Sequence, residues 1–249
     1  MARSARRKSI SNIYHVMLRG IIKSRIFHDA EDNRKFIKVL KECQEISEFK
    51  LYAYCLMGNH VHLLLQVCKE PLEQVMKRIG TRFVIRYNNK YSRTGHLFQD
   101  RYKSEPVDDE RYFFTVLRYI LYNPVKAGIC ARAEEYTWSS ATDYFRGGGI
   151  TDTSFAENIS GREALLAYLR IETDDVCMDD DDPVRISDAD ARKIILQIAD
   201  EKEMKACLNT VAANPEKYVR RLRREGLSIR QISRITGISV AFVRKYDNN

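Results

Sequence analysis

The sequence predicts an α+β fold, an antiparallel sheet with helices packed on it, followed by a small all-α domain. Three observations predict it. Short segments rich in β-branched and aromatic residues alternate with segments of helical period, in the order β-α-β-β-α-β-α. Two of the strands meet around Met57-Gly58-Asn59. Beyond Pro183 the pattern is helical and basic throughout. The element order suits a ferredoxin-like topology for the first part.

Residues 10–21 alternate in places, as in Ile13-Tyr14-His15-Val16-Met17-Leu18, and read as a strand. Across residues 29–49, Phe36, Ile37, Leu40, Cys43 and Ile46 recur at helical spacing, with Asp29 or Asp32 available as the cap. Residues 51–67 read as two strands. Residues 71–88 read as a helix with Leu72, Val75, Met76, Ile79 and Phe83 on one side. Residues 89–104 are basic and aromatic with a turn at Thr94-Gly95, and residues 105–107 form a short strand. A helix from residue 109 carries Phe113, Val116, Leu117, Ile120 and Leu121 as an apolar stripe. It is expected to stop at Asn123-Pro124, because proline disfavours helix at the residue before it. Gly147-Gly148-Gly149 closes this block. The expected domains are 1–148, an ambiguous segment with an acidic linker over 149–183, and a helical domain over 184–249.

The 249 residues include 44% hydrophobic side chains, enough for a core, which excludes global disorder. Lys and Arg number 42 against 34 Asp and Glu, an excess that favours a polyanionic partner. No apolar run approaches the ~20 residues of a membrane span. The apolar stretch after the basic start is interrupted by His15, Arg19 and Lys23, unlike a secretory signal. Six cysteines form no CxxC pair, so reduced thiols are expected. Together these imply a cytoplasmic, nucleoid-associated protein with no membrane partner. The acidic run of residues 172–182 reads as a solvated linker; its charge also suits it to occupy a basic DNA groove in the resting protein.

The most informative stretch is Asn59-His60-Val61-His62-Leu63-Leu64-Leu65. Strand side chains alternate, so His60 and His62 share one face while Val61, Leu63 and Leu65 share the other. Two adjacent imidazoles make a bidentate metal site; the alternative is a half-buried pair hydrogen-bonded to neighbours. On the last helix of the block, Tyr119 and Asn123 are four apart and therefore neighbours, off the apolar stripe. A tyrosine there is a candidate nucleophile, or simply a tyrosine at the rim of a core. Tyr122 and Tyr112 are rivals for the role.

Cutting a phosphodiester with tyrosine needs an in-line phenol, a cation on the phosphate oxygens and an unpaired or distorted strand. His60, His62 and one amide oxygen would hold Mg²⁺ or Mn²⁺ for that purpose. Gly58-Asn59-His60-Val61-His62-Leu63-Leu64 resembles the histidine–hydrophobic–histidine motif of HUH endonucleases. Arg118-Tyr119-Ile120-Leu121-Tyr122-Asn123-Pro124-Val125-Lys126-Ala127-Gly128 resembles the tyrosine helix of the single-tyrosine transposases. Residues 91–104, from Tyr91-Ser92-Arg93-Thr94-Gly95-His96 to Tyr102-Lys103-Ser104, and Trp138-Ser139-Ser140 resemble the REP-associated branch. The resemblance runs from about Ile10 to Phe145 and implies a ferredoxin-like fold and a homodimer. It implies cleavage of single-stranded DNA near hairpins, leaving a 5′-phosphotyrosine and a 3′-hydroxyl without nucleotide hydrolysis. Carried over motif by motif, Tyr119 becomes the nucleophile, His60 and His62 metal ligands, and Asn123 the third ligand, where some relatives have glutamine. A proline common before the motif asparagine is Gly58 here, a loop change that should remove no ligand.

Arg82, Arg86, Tyr87, Arg93, Arg101, Tyr102 and Lys103 form the basic and aromatic set expected of a single-strand interface; a solvated basic surface is the plainer reading. His96 is expected to be structural. In the tail, Ser228 can cap a helix carrying Ile229, Ile232 and Ile235, Gly237 can turn the chain, and Ser239 can cap a second helix. This resembles a helix-turn-helix, with Arg230, Arg234, Arg244 and Lys245 suited to phosphates of duplex DNA or a hairpin stem; a protein-binding bundle is the alternative. Against the enzyme stands a DNA-binding regulator without nicking activity. Replication initiators and conjugative relaxases share the chemistry but lack the Arg118–Gly128 pattern.

Overall fold

The computed structural model describes residues 7–99, 101–171, 177–178, 188–201, 203–225 and 227–246. The chain divides into two units, Met1–Asp179 and Asp180–Asn249.

In the first unit the elements run β1 (Ile13–Arg19), α1 (Ala30–Ser47), β2 (Lys50–Leu56), β3 (His60–Gln66), α2 (Leu72–Lys90), β4 (Lys103–Pro106) and α3 (Glu110–Lys126). The sheet order is β2-β3-β1-β4 and every pairing is antiparallel, the expected ferredoxin-like arrangement. Local signals set the element ends. Asp29 accepts from the Asp32 N–H in a capping box at the start of α1. Asp109 accepts from the Tyr112 N–H at 2.8 Å to open α3. The β2–β3 connection is a two-residue hairpin closed by Met57 N–H donating to the His60 carbonyl at 2.9 Å.

The sheet separates two cores. On one side, α1 and α2 pack Phe36, Leu40, Val75, Ile79 and Phe83 against Val16, Val61, Leu63 and Leu65. On the other, α3 packs Phe113, Val116, Leu117 and Ile120 against Ile13, Leu64 and two consecutive β2 residues, Tyr52 and Ala53. The register shift between Leu51 and Ala53 explains how neighbours on one strand join the same core. The outer edge of β2 is covered by the Trp138-Ser139-Ser140 segment: Leu56 N–H donates to the Trp138 carbonyl, and Ser140 N–H to the Tyr54 carbonyl, each at 2.9 Å.

Two expectations need correction. Helix α3 does not stop at Asn123-Pro124 but continues to Lys126 with Pro124 inside it. Proline forfeits one bond, to the Ile120 carbonyl, while Ala127 and Ile129 still donate to Asn123 and Pro124, and Pro124 is buried. The short strand lies at Lys103–Pro106 rather than 105–107. The ambiguous residues after 149 are helical up to Leu169. After α4 (Ala141–Arg146) they form α5 (Ser154–Ser160) and α6 (Arg162–Leu169), and Ala156, Leu165 and Leu169 are buried in the α3 core. Most of the acidic run, residues 172–176 and 179–182, lies outside the described residues.

The second unit contains α7 (Asp188–Ala199), α8 (Met204–Ala213), α9 (Pro215–Arg224), α10 (Ile229–Thr236) and α11 (Val240–Lys245). Its interior includes Ile195, Cys207, Val211, Val219, Leu222, Ile232 and Val243. Ser228 and Ser239 cap α10 and α11 with their side chains, accepting from Gln231 and Phe242 N–H. Gly237 sits between them at φ 78°, a left-handed conformation that glycine adopts without strain.

Candidate active site

The site lies on the α3 face of the sheet. Register places Met17 opposite His62 and Arg19 opposite His60 on β1–β3, and Glu105 opposite His15 and Lys103 opposite Met17 on β1–β4. Opposed residues of an antiparallel pair share a face. Arg19, His15, His60, His62, Lys103 and Glu105 therefore project from the same side, toward α3. The two-face reading of His60-Val61-His62 is what the structure shows.

The histidines form part of a buried chain. His15 Nδ1 is 2.8 Å from Glu105 Oε1, and His15 Nε2 is 3.0 Å from His62 Nδ1. His15 is 0% and His62 1% exposed. His60 Nδ1 is 2.7 Å from Asn59 Oδ1, and its ring stands nearly perpendicular to that of His62 with centroids 5.0 Å apart. Burial, reinforced by the neighbouring His15, His60 and Arg19, holds the His62 pKa well below the ordinary imidazole value, so its ring is neutral. Burial alone would raise the Glu105 pKa, but hydrogen bonds, first that from His15, outweigh it and keep the carboxyl below its usual range.

Helix α3 brings Tyr119 onto this cluster. Its ring lies edge-on to His62 at 5.6 Å and to His15 at 6.0 Å between centroids. The Lys126 ammonium lies 5.4 Å from the Tyr119 ring centroid. Tyr119 is only 2% exposed, so it is not a tyrosine at a wet rim. The stripe at 113, 116, 117, 120 and 121 and the 112/119 pair both face inward, because α3 is covered on two sides, by the sheet and by α4 to α6. Arg118, 8% exposed, stacks on Tyr168 of α6 at 4.1 Å and so ties the tyrosine helix to that layer. Asn123 follows one turn after Tyr119 and is half-buried.

The rivals for Tyr119 fare differently. Tyr112 is hydrogen-bonded to Glu105, and burial together with that carboxylate raises its phenol pKa, which opposes use as a nucleophile. Tyr122 is half-buried against the α3 core.

A divalent cation fits the donor chemistry of this face. Both imidazoles engage a neighbour through Nδ1, which directs ligation to Nε2, and a neutral His62 is the form that ligates. Among the described residues, no three His, Cys, Asp or Glu side chains are placed to hold a metal.

The expected DNA-facing residues separate into groups. Arg82 and Arg86 lie on α2, across the sheet from the histidines, and both bind Glu42 of α1, at 3.2 and 3.0 Å. Tyr87 is not an exposed stacking platform: it is 4% exposed, and its hydroxyl is 2.8 Å from His28 Nε2. Arg93 is exposed, with its guanidinium 5.6 Å from the Tyr87 ring centroid, and Arg101 is exposed. Tyr102 packs partly against the α1–α2 core, and Lys103 is on the histidine face. His96 is exposed rather than structural. In the second unit Arg230, Arg234, Arg244 and Lys245 are all exposed, and Arg234 pairs with Asp188.

Sequence reasoning missed His15, Glu105 and Arg19. His15 did carry a signal: it is a titratable residue at an inward position of an otherwise apolar strand. Glu105 carried none, because only the β1–β4 register brings it to His15.

Comparison with known proteins matches the first unit. Residues 8–123 match the family described as "Transposase IS200 like". A REP-associated tyrosine transposase of Haemophilus influenzae (strain ATCC 51907 / DSM 11121 / KW20 / Rd) is 25% identical over 117 residues, covering 43% of this chain and 66% of that protein, just under two thirds of its length. A solved REP-associated tyrosine transposase bound to a REP hairpin superposes with a TM-score of 0.51 at 15% identity, over 61% of this chain and 94% of that one, and so shares the fold. Gly58 disturbs nothing in the hairpin: a Cβ there would meet only Arg25 Nε, at 3.9 Å. The stretch that matches the IS200-like transposase family, residues 8–123, is the one that carries both the histidine strand and the tyrosine helix.

Proposed function

We propose that this protein is a transposase that nicks and rejoins single-stranded DNA near hairpins, with Tyr119 as nucleophile. The observation that carries the reading is the contact between Tyr119 and His62 within one chain, 5.6 Å between rings. His60, His62 and Asn123 would hold Mg²⁺ or Mn²⁺. Such a cation supplies positive charge to the non-bridging oxygens and to the leaving 3′ oxygen. The Tyr119 phenolate attacks phosphorus in line, forming the O–P bond of a 5′-phosphotyrosine. The P–O3′ bond breaks, and the 3′ oxygen takes up a proton to become a hydroxyl. Attack by a 3′-hydroxyl on the phosphotyrosine reverses these steps and joins strands without a nucleotide cofactor.

Phenol ionises near pH ~10 in water, so the reaction needs a neighbouring cation at neutral pH. Lys126 beside the Tyr119 ring supplies one from the protein itself. At 2% exposure Tyr119 must also move outward to meet a phosphate. Arg93, Arg101, Tyr102 and Lys103 lie in or beside the segment leading to the histidine face and are the proposed single-strand contacts. The α10–α11 pair, with Arg230, Arg234, Arg244 and Lys245, is proposed to act as a helix-turn-helix on duplex DNA or a hairpin stem. A hairpin ligand accords with the solved transposase–REP hairpin complex that shares this fold.

The test is a denaturing gel of the protein with end-labelled hairpin DNA carrying single-stranded flanks, in Mg²⁺, Mn²⁺ or chelator. The expected result is a protein–DNA adduct bearing the label from the 3′ side of the cut, dependent on metal, lost in Tyr119→Phe and retained in Tyr122→Phe. Tight binding without any adduct on single-stranded, hairpin or duplex substrates would instead favour a DNA-binding regulator.

A further inference from the structure

The buried chain from Glu105 through His15 to His62 is not part of the reaction described above, and it has a direction. A carboxylate can only accept, so His15 Nδ1 must donate across the 2.8 Å contact. Glu105 is held in that acceptor role by two further donors, the Tyr112 hydroxyl and the Met178 N–H at 3.3 Å. With its ring proton on Nδ1, His15 presents a lone pair at Nε2. His62 must then donate from Nδ1 across the 3.0 Å contact. That leaves the His62 lone pair on Nε2, the only ring atom through which it can ligate.

We propose that Glu105 and His15 are positioning residues that lock His62 in its Nδ1–H tautomer and aim its Nε2 at the metal. A carboxylate is placed two rings from the ligand instead of one. The register explains why: His15 stands between β4 and β3 in the sheet, so β1 must relay the constraint from Glu105 to His62. Without the relay, His62 can take either tautomer and rotate, and with the proton on Nε2 it has no lone pair there for the metal. His60 is oriented separately, by Asn59 of its own hairpin. The consequence for metal binding rests on the proposed function, whereas the tautomer itself does not.

Two measurements on the full chain test this. Nitrogen-15 NMR of histidine-labelled, metal-free protein reads the tautomer of residue 62, and Mn²⁺ titration followed by electron paramagnetic resonance reads affinity. In the wild type His62 is expected as the Nδ1–H form. Glu105→Leu removes the acceptor and is expected to give a mixture dominated by Nε2–H, with Mn²⁺ bound roughly 10- to 100-fold more weakly. Glu105→Gln keeps an acceptor oxygen and is expected to restore both readouts, which a merely packing role would not predict. His15→Leu, which offers no acceptor to His62, serves as the second lesion if Glu105→Leu does not fold. An unchanged His62 tautomer in a folded Glu105→Leu or His15→Leu protein overturns the relay. A tautomer switch between wild type and Glu105→Leu, with no Mn²⁺ bound by the wild type, would keep the relay and overturn the metal reading instead.

Discussion

The two faces of the sheet are built from the same strands and do opposite work. The face under α1 and α2 is apolar: Val61, Leu63 and Leu65 of β3 meet Phe36 and Phe83, whose rings pack edge-on at 4.9 Å. The face under α3 carries His15, His62 and Glu105 beside Phe113 and Ile120. Burying imidazoles is unfavourable unless their nitrogens are bonded, and here each is bonded to the next. One face supplies stability that any well-packed apolar side chains could provide. The other accepts polar burial in order to hold His15, His62 and Glu105 in one arrangement. Period-two alternation lets β3 serve both without compromise, since neither set of side chains occupies the other's space.

The sharpest way to break this comparison is to mutate one residue on each face. Tyr119→Phe should reduce adduct formation by more than ~10³-fold, with stability changed by about 1 kcal/mol for the lost hydroxyl. Leu63→Ala should do the reverse. Denaturant melts should show a loss of about 2–5 kcal/mol, with adduct yield per folded molecule unchanged. Equal damage to chemistry from both would mean that the faces are not separable.

A mixing experiment comes next. Tyr119 contacts the His62 of its own chain. A mixture of His62→Ala and Tyr119→Phe proteins should therefore form no more adduct than either alone. Restored activity would show that a homodimer exchanges the tyrosine helix.

A smaller effect is expected with pH. Folded His62 resists protonation, while in the unfolded chain residue 62 takes up a proton below the ordinary value of about 6.5. The unfolded state thus binds more protons there, and stability should fall as pH drops from 7 toward 5. His62→Gln should flatten that part of the profile, and parallel melts at pH 7.5 and 5.5 would reveal it. An equally steep profile in His62→Gln would assign the acid sensitivity to other groups.

The smallest effects concern DNA affinity. Lys103→Ala, on the histidine face, should lower the salt dependence of single-strand binding by about 0.7 in log–log slope. Arg82→Ala with Arg86→Ala should leave that slope nearly unchanged, because both side chains sit on the other layer and are engaged by Glu42. Fluorescence anisotropy over a salt series separates the two. A larger change in the Arg82 and Arg86 pair would extend the DNA path around to α2.

Much of this was legible in the residues themselves. Local rules were enough for the strand carrying His60 and His62 on one side, the cap at Asp29, the inward stripe of α3, and the Ser228–Gly237–Ser239 punctuation. Each depends on neighbours within a few positions, where period and capping chemistry act. The tertiary structure decided what depends on distant partners. Register alone joined Glu105 to His15, 90 residues apart, and His15 to His62, 47 apart. Packing turned Tyr87 inward onto His28 and drew Arg86 to Glu42, removing both from a set that composition had grouped together. It also carried α3 through Pro124, against a local preference that burial of the last turn overrides. Alternation along one strand is a property of the chain, but which side chain meets which across a sheet is settled only when the strands pair.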